Sequence, residues 1–144
     1  MAISREPDAV QTPTAGAQAR PATTTRSTSA HRNKRQLLGE RGEQLTANWY
    51  WRRGYQVVDR NWRSRNGELD LVLRRRGEFV FCEVKTRSSR VFGHPVEAVA
   101  LAKQQRIRRL ALQWMATTGS RTRHLRFDVA AVENGRVEVW KAAF

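Results

Sequence analysis

Four charged residues interrupt two apolar runs in "GELDLVLRRRGEFVFCEVK", residues 67–85: Glu68 and Asp70 in the first run, Glu83 and Lys85 in the second. Charges are uncommon in segments that must bury a face, so their placement asks for a chemical reason. Arg76-Gly77 is the natural two-residue turn between the runs, because glycine accepts the positive φ that tight hairpin turns require. That turn sets the register, with Asp70 opposite Glu83 and Glu68 opposite Lys85. Side chains alternate along a strand, so all four share one face, while Leu69, Leu71, Leu73, Val80, Cys82 and Val84 share the other. The second face is wholly apolar and is the expected core side. Val72 opposite Phe81 continues the charged face, leaving the charged groups partly solvated at one end of it.

Two carboxylates directly across an antiparallel pair repel by roughly 4 kcal/mol at about 4 Å when the effective dielectric is near 20. Lys85 offsets only part of this. A divalent cation between Asp70 and Glu83 turns the repulsion into coordination, and oxygen donors of this kind suit Mg²⁺ or Mn²⁺ rather than zinc or copper. The backbone carbonyl of Val84 is an additional candidate ligand. Glu43, on the preceding helix, can add a carboxylate to the metal or to its water. Glu68 is either a second ligand or the ion-pair partner of Lys85, and the pairing role is favoured. His31, His94 and His124 are scattered along the chain and form no metal-ligand spacing. A hard cation on a basic scaffold points to phosphodiester hydrolysis. The metal lowers the pKa of its water and neutralises the phosphate, and Lys85 orients or deprotonates the nucleophile or stabilises developing charge. The triplet Glu83-x-Lys85 is a weak signal alone. Its weight comes from Glu68-x-Asp70 in matching register and from the apolar opposite face.

The elements that position these residues follow from periodicity. "QLLGERGEQLTANWYWRR", residues 36–53, places Leu38, Leu45 and Trp49 at helical spacing, and Gly54 closes it as a C-terminal cap. Gly39 and Gly42 inside this helix imply either a frayed first turn or close approach by another backbone. "YQVVDR" reads as a strand and "NWRSRNG" as a loop, followed by the hairpin. "TRSSRVFGHP" is a polar loop. A second helix is expected from Val96 to about Thr117, with Pro95 at its start and an apolar stripe of Val99, Ala102, Ile107, Leu110, Ala111 and Trp114. "HLRFDVAAV" and "RVEVW" close the chain as strands joined at Glu133-Asn134-Gly135. The fold class is α/β, in the order helix, three strands, helix, two strands.

Lys and Arg number 27 against 13 Asp and Glu over 144 residues, a net charge of +14 that calls for a polyanionic partner, nucleic acid before any other. Residues 1–35 are rich in Thr, Ala, Ser, Pro and Arg and are expected to form a disordered basic tail ahead of a single domain, residues 36–144. The second helix carries Lys103, Gln104, Arg106, Arg108 and Arg109 on its polar surface. Arg52, Arg53, Arg63 and Arg65 flank the entrance to the hairpin. Of these, Arg63, Arg65, Lys103, Gln104, Arg106 and Arg109 are the expected phosphate contacts. Trp62 reads as core packing before base stacking, and Arg126 with Asp128 as a structural pair. Cys82, the one cysteine, reads as a small core residue, and it permits no internal disulfide. No apolar stretch approaches the length of a membrane span. The expected compartment is the cytoplasm, with no membrane partner.

"GELD", a hairpin and "FCEVK" together resemble the PD-(D/E)xK motif of the restriction-endonuclease-like superfamily. More narrowly, "GERGEQLTANWYWRRGYQVVDRNWRSRNGELDLV", "FVFCEVKTRSS", "KQQRIRRLA" and "RFDVAAV" resemble the YraN family of bacterial endonuclease-like proteins, which is similar to archaeal Holliday junction resolvases. The match spans about residues 37–134. It implies a restriction-endonuclease-like fold with a central mixed sheet flanked by helices. It also implies that Glu43, Asp70, Glu83 and Lys85 take the catalytic positions. Thr46 stands where the family usually has Ala and Cys82 where it usually has Val, and no Pro precedes the first acidic pair. Direct sequence readout has no visible device, so branched or distorted DNA is the expected substrate, and a two-fold junction favours a homodimer. The competing expectation is a nucleic-acid-binding accessory protein that keeps the fold without cutting.

Overall fold

The computed structural model describes residues 26–87 and 99–144. Its elements are α1 (Arg26–Trp51), β1 (Gln56–Ser64), β2 (Gly67–Arg75), β3 (Glu78–Arg87), α2 (Leu101–Thr118), β4 (Leu125–Glu133) and β5 (Arg136–Trp140). The expected order of helices and strands is the observed one. The strands form one mixed sheet in the order β1-β2-β3-β4-β5. Only β3 and β4 run parallel, and α2 lies in the crossover between them. Both expected hairpin turns form: Arg76 and Gly77 have φ of 49° and 82°, and Asn134 and Gly135 have 49° and 76°. Among the described residues no helix is long and apolar enough to cross a membrane.

Apolar residues of the sheet point both ways. Leu71, Leu73, Val80, Cys82 and Ala130 pack with Ala47 and Tyr50 of α1. Val72, Phe79, Phe81 and Val129 pack with Ile107, Leu110, Ala111 and Trp114 of α2. The expectation of one core face is therefore corrected, since a helix covers each side of the sheet. Val72 and Phe81, placed on a partly solvated face from sequence, are fully buried beneath α2. Leu69 also joins the α2 core and not the side of Leu71 and Leu73. Trp62 packs at the margin of the same core, and Cys82 is buried and unpaired.

Three boundaries differ from the sequence expectation. α1 starts at Arg26 and not Gln36, so part of the segment expected to be disordered is helical. A helix already nucleated and packed from Gly42 onward extends cheaply, one hydrogen bond per added residue, even where residues 33–38 face solvent. Asn61–Ser64, expected in a loop, continue β1, because Trp62 pairs with Leu69 and Arg63 with Glu68 after a register shift between Val57 and Asp59. α2 begins at Leu101 and not Val96, a position that, with His94 and Pro95, lies outside the described residues. Ala100 has an extended ψ of 151°, and the Gln104 side chain donates to the Val99 carbonyl at 3.0 Å, which ends the helix there.

Gly42 answers the question its position raised. A Cβ there would overlap Thr86 Oγ1 and lie 3.0 and 3.1 Å from the Thr86 Cβ and Cγ2, so no threonine rotamer clears it. α1 thus approaches β3 at the strand carrying Glu83 and Lys85. Gly39 faces open space and marks no such contact. Gly42→Ala should lower stability by about 1 to 3 kcal/mol, despite the better helix propensity of alanine. Adding Thr86→Ala removes the Oγ1 and Cγ2 overlaps but leaves the Thr86 Cβ at 3.0 Å, so it should recover part of the loss, measured by urea unfolding.

Candidate metal centre and nucleic-acid interface

The β2–β3 ladder runs from Arg75↔Glu78 to Leu71↔Cys82, in the register that the Arg76-Gly77 turn predicts. It ends one step before the acidic pair. β2 goes on beside β1, and β3 goes on beside β4 as far as Arg87↔Glu133. Asp70 and Glu83 therefore stand at the fork where the strands part. Asp70 Oδ2 accepts the Val84 backbone N–H at 2.8 Å, in place of a ladder bond. What Val84 places at the site is this N–H; its expected ligand role rests on its carbonyl.

Glu83 is buried and meets two ammonium groups on a single oxygen, Oε1. Lys85 Nζ lies 3.3 Å away, and Lys103 Nζ, from the first turn of α2, is in closer contact. Burial and the nearby charge of Glu83 push the Asp70 carboxyl up to about 7, against the opposing pull of the Val84 N–H. The charges of Glu43 and Lys103 also act on Asp70, the first raising its carboxyl and the second lowering it. Burial raises Glu43 above the usual carboxylate range, although Asn61 Nδ2 donates to its Oε2 at 2.7 Å. Burial lowers the Lys85 ammonium, and the adjacent Lys103 lowers it further, against the attraction of Glu83. For Lys103 burial acts downward too, but the hydrogen bond and charge of Glu83 outweigh it and hold the ammonium above its ordinary value.

The structure thus brings Asp70, Glu83 and Lys85 together and sets Glu43 beside them. One expectation is corrected. Glu68 pairs with Arg63 across β1–β2 at 3.3 Å and not with Lys85, because the fork separates the ends of β2 and β3. Lys103, expected to contact phosphate, is also in contact with Glu83. Of the other expected phosphate contacts, Arg63 is engaged by Glu68 and Gln104 caps α2 through Val99. Arg65 is exposed at the turn between β1 and β2. Arg106 and Arg109 line a groove of about 290 Å³ with Asn66 and Ala102, one turn along α2 from Lys103.

Sequence reasoning missed Lys103 and Asn61 as members of the site. The Lys103 contact had no signal in the sequence, because a helix expected to start at Val96 puts Lys103 beyond its first turn, and only the observed start at Leu101 places it there. Asn61 gave none once it was read as a loop residue. Arg126 and Asp128 form the structural pair expected of them, 2.9 Å from Nε to Oδ1 and 3.0 Å from the second guanidinium nitrogen to Oδ2. His124 is exposed in the turn before β4.

Among the described residues no group of three His, Cys, Asp or Glu side chains converges on one point suited to a metal. Two carboxylates at the fork are a donor set that Mg²⁺ accepts, since that ion commonly binds one or two protein carboxylates and completes its shell with water and substrate phosphate.

The model of uncharacterised protein family UPF0102 matches residues 42–132, a span that includes Glu43, the fork and α2. A UPF0102 protein of Beutenbergia cavernae is 50% identical over 95 residues, covering 66% of this chain and 80% of the relative. One from Rhodococcus jostii is 47% identical over 98 residues, covering 68% and 83%. One from Frankia alni is 46% identical over 112 residues, covering 74% and 93%. With the family model spanning more than half of its length, the chain belongs to the UPF0102 family, the YraN-like family to which its motifs pointed.

Proposed function

We propose that this protein is a metal-dependent endonuclease that hydrolyses DNA phosphodiester bonds from a restriction-endonuclease-like fold, with Mg²⁺ or Mn²⁺ between Asp70 and Glu83. The observation that carries this reading is the pair of acids at the strand fork with a lysine beside them, on a chain of net charge +14. A fold selected for stability alone has no use for a buried acid beside Asp70, whose carboxyl burial and then the charge of Glu83 push up to about 7. When bound, the ion would acidify a water and neutralise charge on the phosphate. Lys85, its proton loosened by burial and by Lys103, is placed to accept a proton from the attacking water or to stabilise charge in the transition state. Glu43, held by Asn61 on the α1 side, would add a further carboxylate to the ion or to its water. Arg106 and Arg109 hold backbone phosphates in the groove beside the β1–β2 turn, which favours branched or distorted DNA over a specific sequence. A two-fold junction substrate would be met by a homodimer, in the cytoplasm.

One observation favours the alternative, a DNA-binding accessory protein that does not cut: two ammonium groups already neutralise Glu83 without a metal. The test is incubation of purified protein with branched, flapped and linear DNA in Mg²⁺ or Mn²⁺, with EDTA and Glu83→Ala as controls. The endonuclease reading expects cutting that both controls abolish. Cutting that survives Glu83→Ala would come from a contaminant, and tight binding without cutting would establish the accessory role.

A further inference from the structure

Lys103 sits where a lysine is electrostatically awkward. It occupies the first turn of α2, at the positive end of the helix dipole, and that turn holds no acidic residue. It also crowds Lys85, which already pairs with Glu83 at 3.3 Å. Both penalties are offset by one contact, the ammonium of Lys103 on Glu83 Oε1, with Asp70 close enough to add its own attraction. That ammonium occupies the Glu83 oxygen that a bound cation would need.

We infer that Lys103 is a built-in counter-cation of the metal site: its ammonium holds the place between Asp70 and Glu83, and a divalent cation binds by displacing it. The inference rests on the metal-site reading above and adds a regulation to it. Lys103 and Arg106 are three residues apart on α2 and share a helix face, and Arg106 lines the phosphate groove with Ala102. A DNA phosphate in that groove offers the displaced ammonium a new anion. Metal and DNA then assist each other, because each is bound better once Lys103 has left Glu83. Without DNA the carboxylates stay neutralised and metal affinity is low, so the site is completed where the substrate is.

The test is Mn²⁺ binding to the full chain without DNA, measured by calorimetry and by loss of the free-Mn²⁺ paramagnetic resonance signal. Lys103→Met keeps most of the aliphatic stem and removes the charge, and it should bind Mn²⁺ about tenfold more tightly than wild type, the equivalent of one charged hydrogen bond. Lys103→Gln is the second variant, and thermal unfolding reports whether each is folded. The gain should vanish in Lys103→Met combined with Glu83→Ala. Equal or weaker Mn²⁺ binding by folded Lys103 variants, or a gain that persists without Glu83, would overturn the counter-cation role and leave the metal site standing. Absence of Mn²⁺ binding in wild type and every variant would overturn both.

Discussion

On the proposed nuclease reading Asp70→Asn should lower metal-dependent DNA cleavage by on the order of 10³-fold, while making the protein more stable above neutral pH. Asparagine keeps the shape of the side chain, and its carbonyl oxygen can still accept the Val84 N–H that Asp70 accepts at 2.8 Å. What is lost is the negative charge that a cation needs. The stability gain has the same origin. Burial and Glu83 raise the Asp70 carboxyl from 3.8 to about 7, so the fold favours its protonated form. A group with a raised folded pKa contributes its full stability below the unfolded value and loses it as pH rises through the folded one. Wild type should therefore lose stability between about pH 4 and pH 8, by on the order of 2 to 4 kcal/mol, and the variant should not. At pH 8 the variant should melt roughly 10 °C higher, and saturating Mg²⁺ should narrow the gap by binding wild type alone. Parallel pH profiles for the two proteins, or cleavage retained within tenfold, would show that Asp70 holds neither a strained charge nor a metal.

Asp128→Ala should cost about 3 to 5 kcal/mol of folding stability, the largest loss expected of a single substitution away from the fork. Asp128 is wholly inaccessible to solvent, and its two oxygens serve four donors. Tyr50 from α1 donates its hydroxyl at 2.6 Å, Arg126 donates twice, and the Ala142 backbone N–H donates at 3.0 Å. Arg126 reaches further, to Glu78 at 2.9 Å and to the Tyr55 hydroxyl at 3.1 Å. The carboxylate therefore ties α1, the start of β3 and the chain end after β5 to β4. Removing it takes the Asp128 acceptor from the buried Tyr50 hydroxyl and two hydrogen bonds from Arg126, which keeps Glu78 and Tyr55, and a buried polar group left unpaired keeps its full desolvation penalty. Tyr50→Phe removes one donor and leaves Asp128 otherwise satisfied, so it should cost only about 1 kcal/mol. Guanidinium unfolding of the two variants measures both, and a loss below about 1 kcal/mol for Asp128→Ala would mean that the network is replaceable.

The hairpin register was readable from Arg76-Gly77 alone, because a two-residue turn leaves one pairing for every residue that follows. The apolar stripe of Ile107, Leu110, Ala111 and Trp114, the Asn134-Gly135 turn and the order of the elements were equally local matters. Periodicity reports which residues are apolar together. It does not report how many layers will cover them, and for that reason Val72 and Phe81 were placed on an open face although α2 closes over them.

Local pattern in the chain was thus enough to select Asp70, Glu83 and Lys85, since residue type and a turn of known length bring them to one end of one hairpin. Two facts about them depended on parts of the chain far away. The β2–β3 ladder ends at Leu71 and Cys82 while β2 continues beside β1 and β3 beside β4, and the Val84 N–H is bound by Asp70. Lys103 reaches Glu83 because the crossover from β3 to a parallel β4 carries the start of α2 back to the fork. Neither event leaves a trace in the spacing of neighbouring residues, since each arises when surfaces separate in sequence are packed together to exclude water.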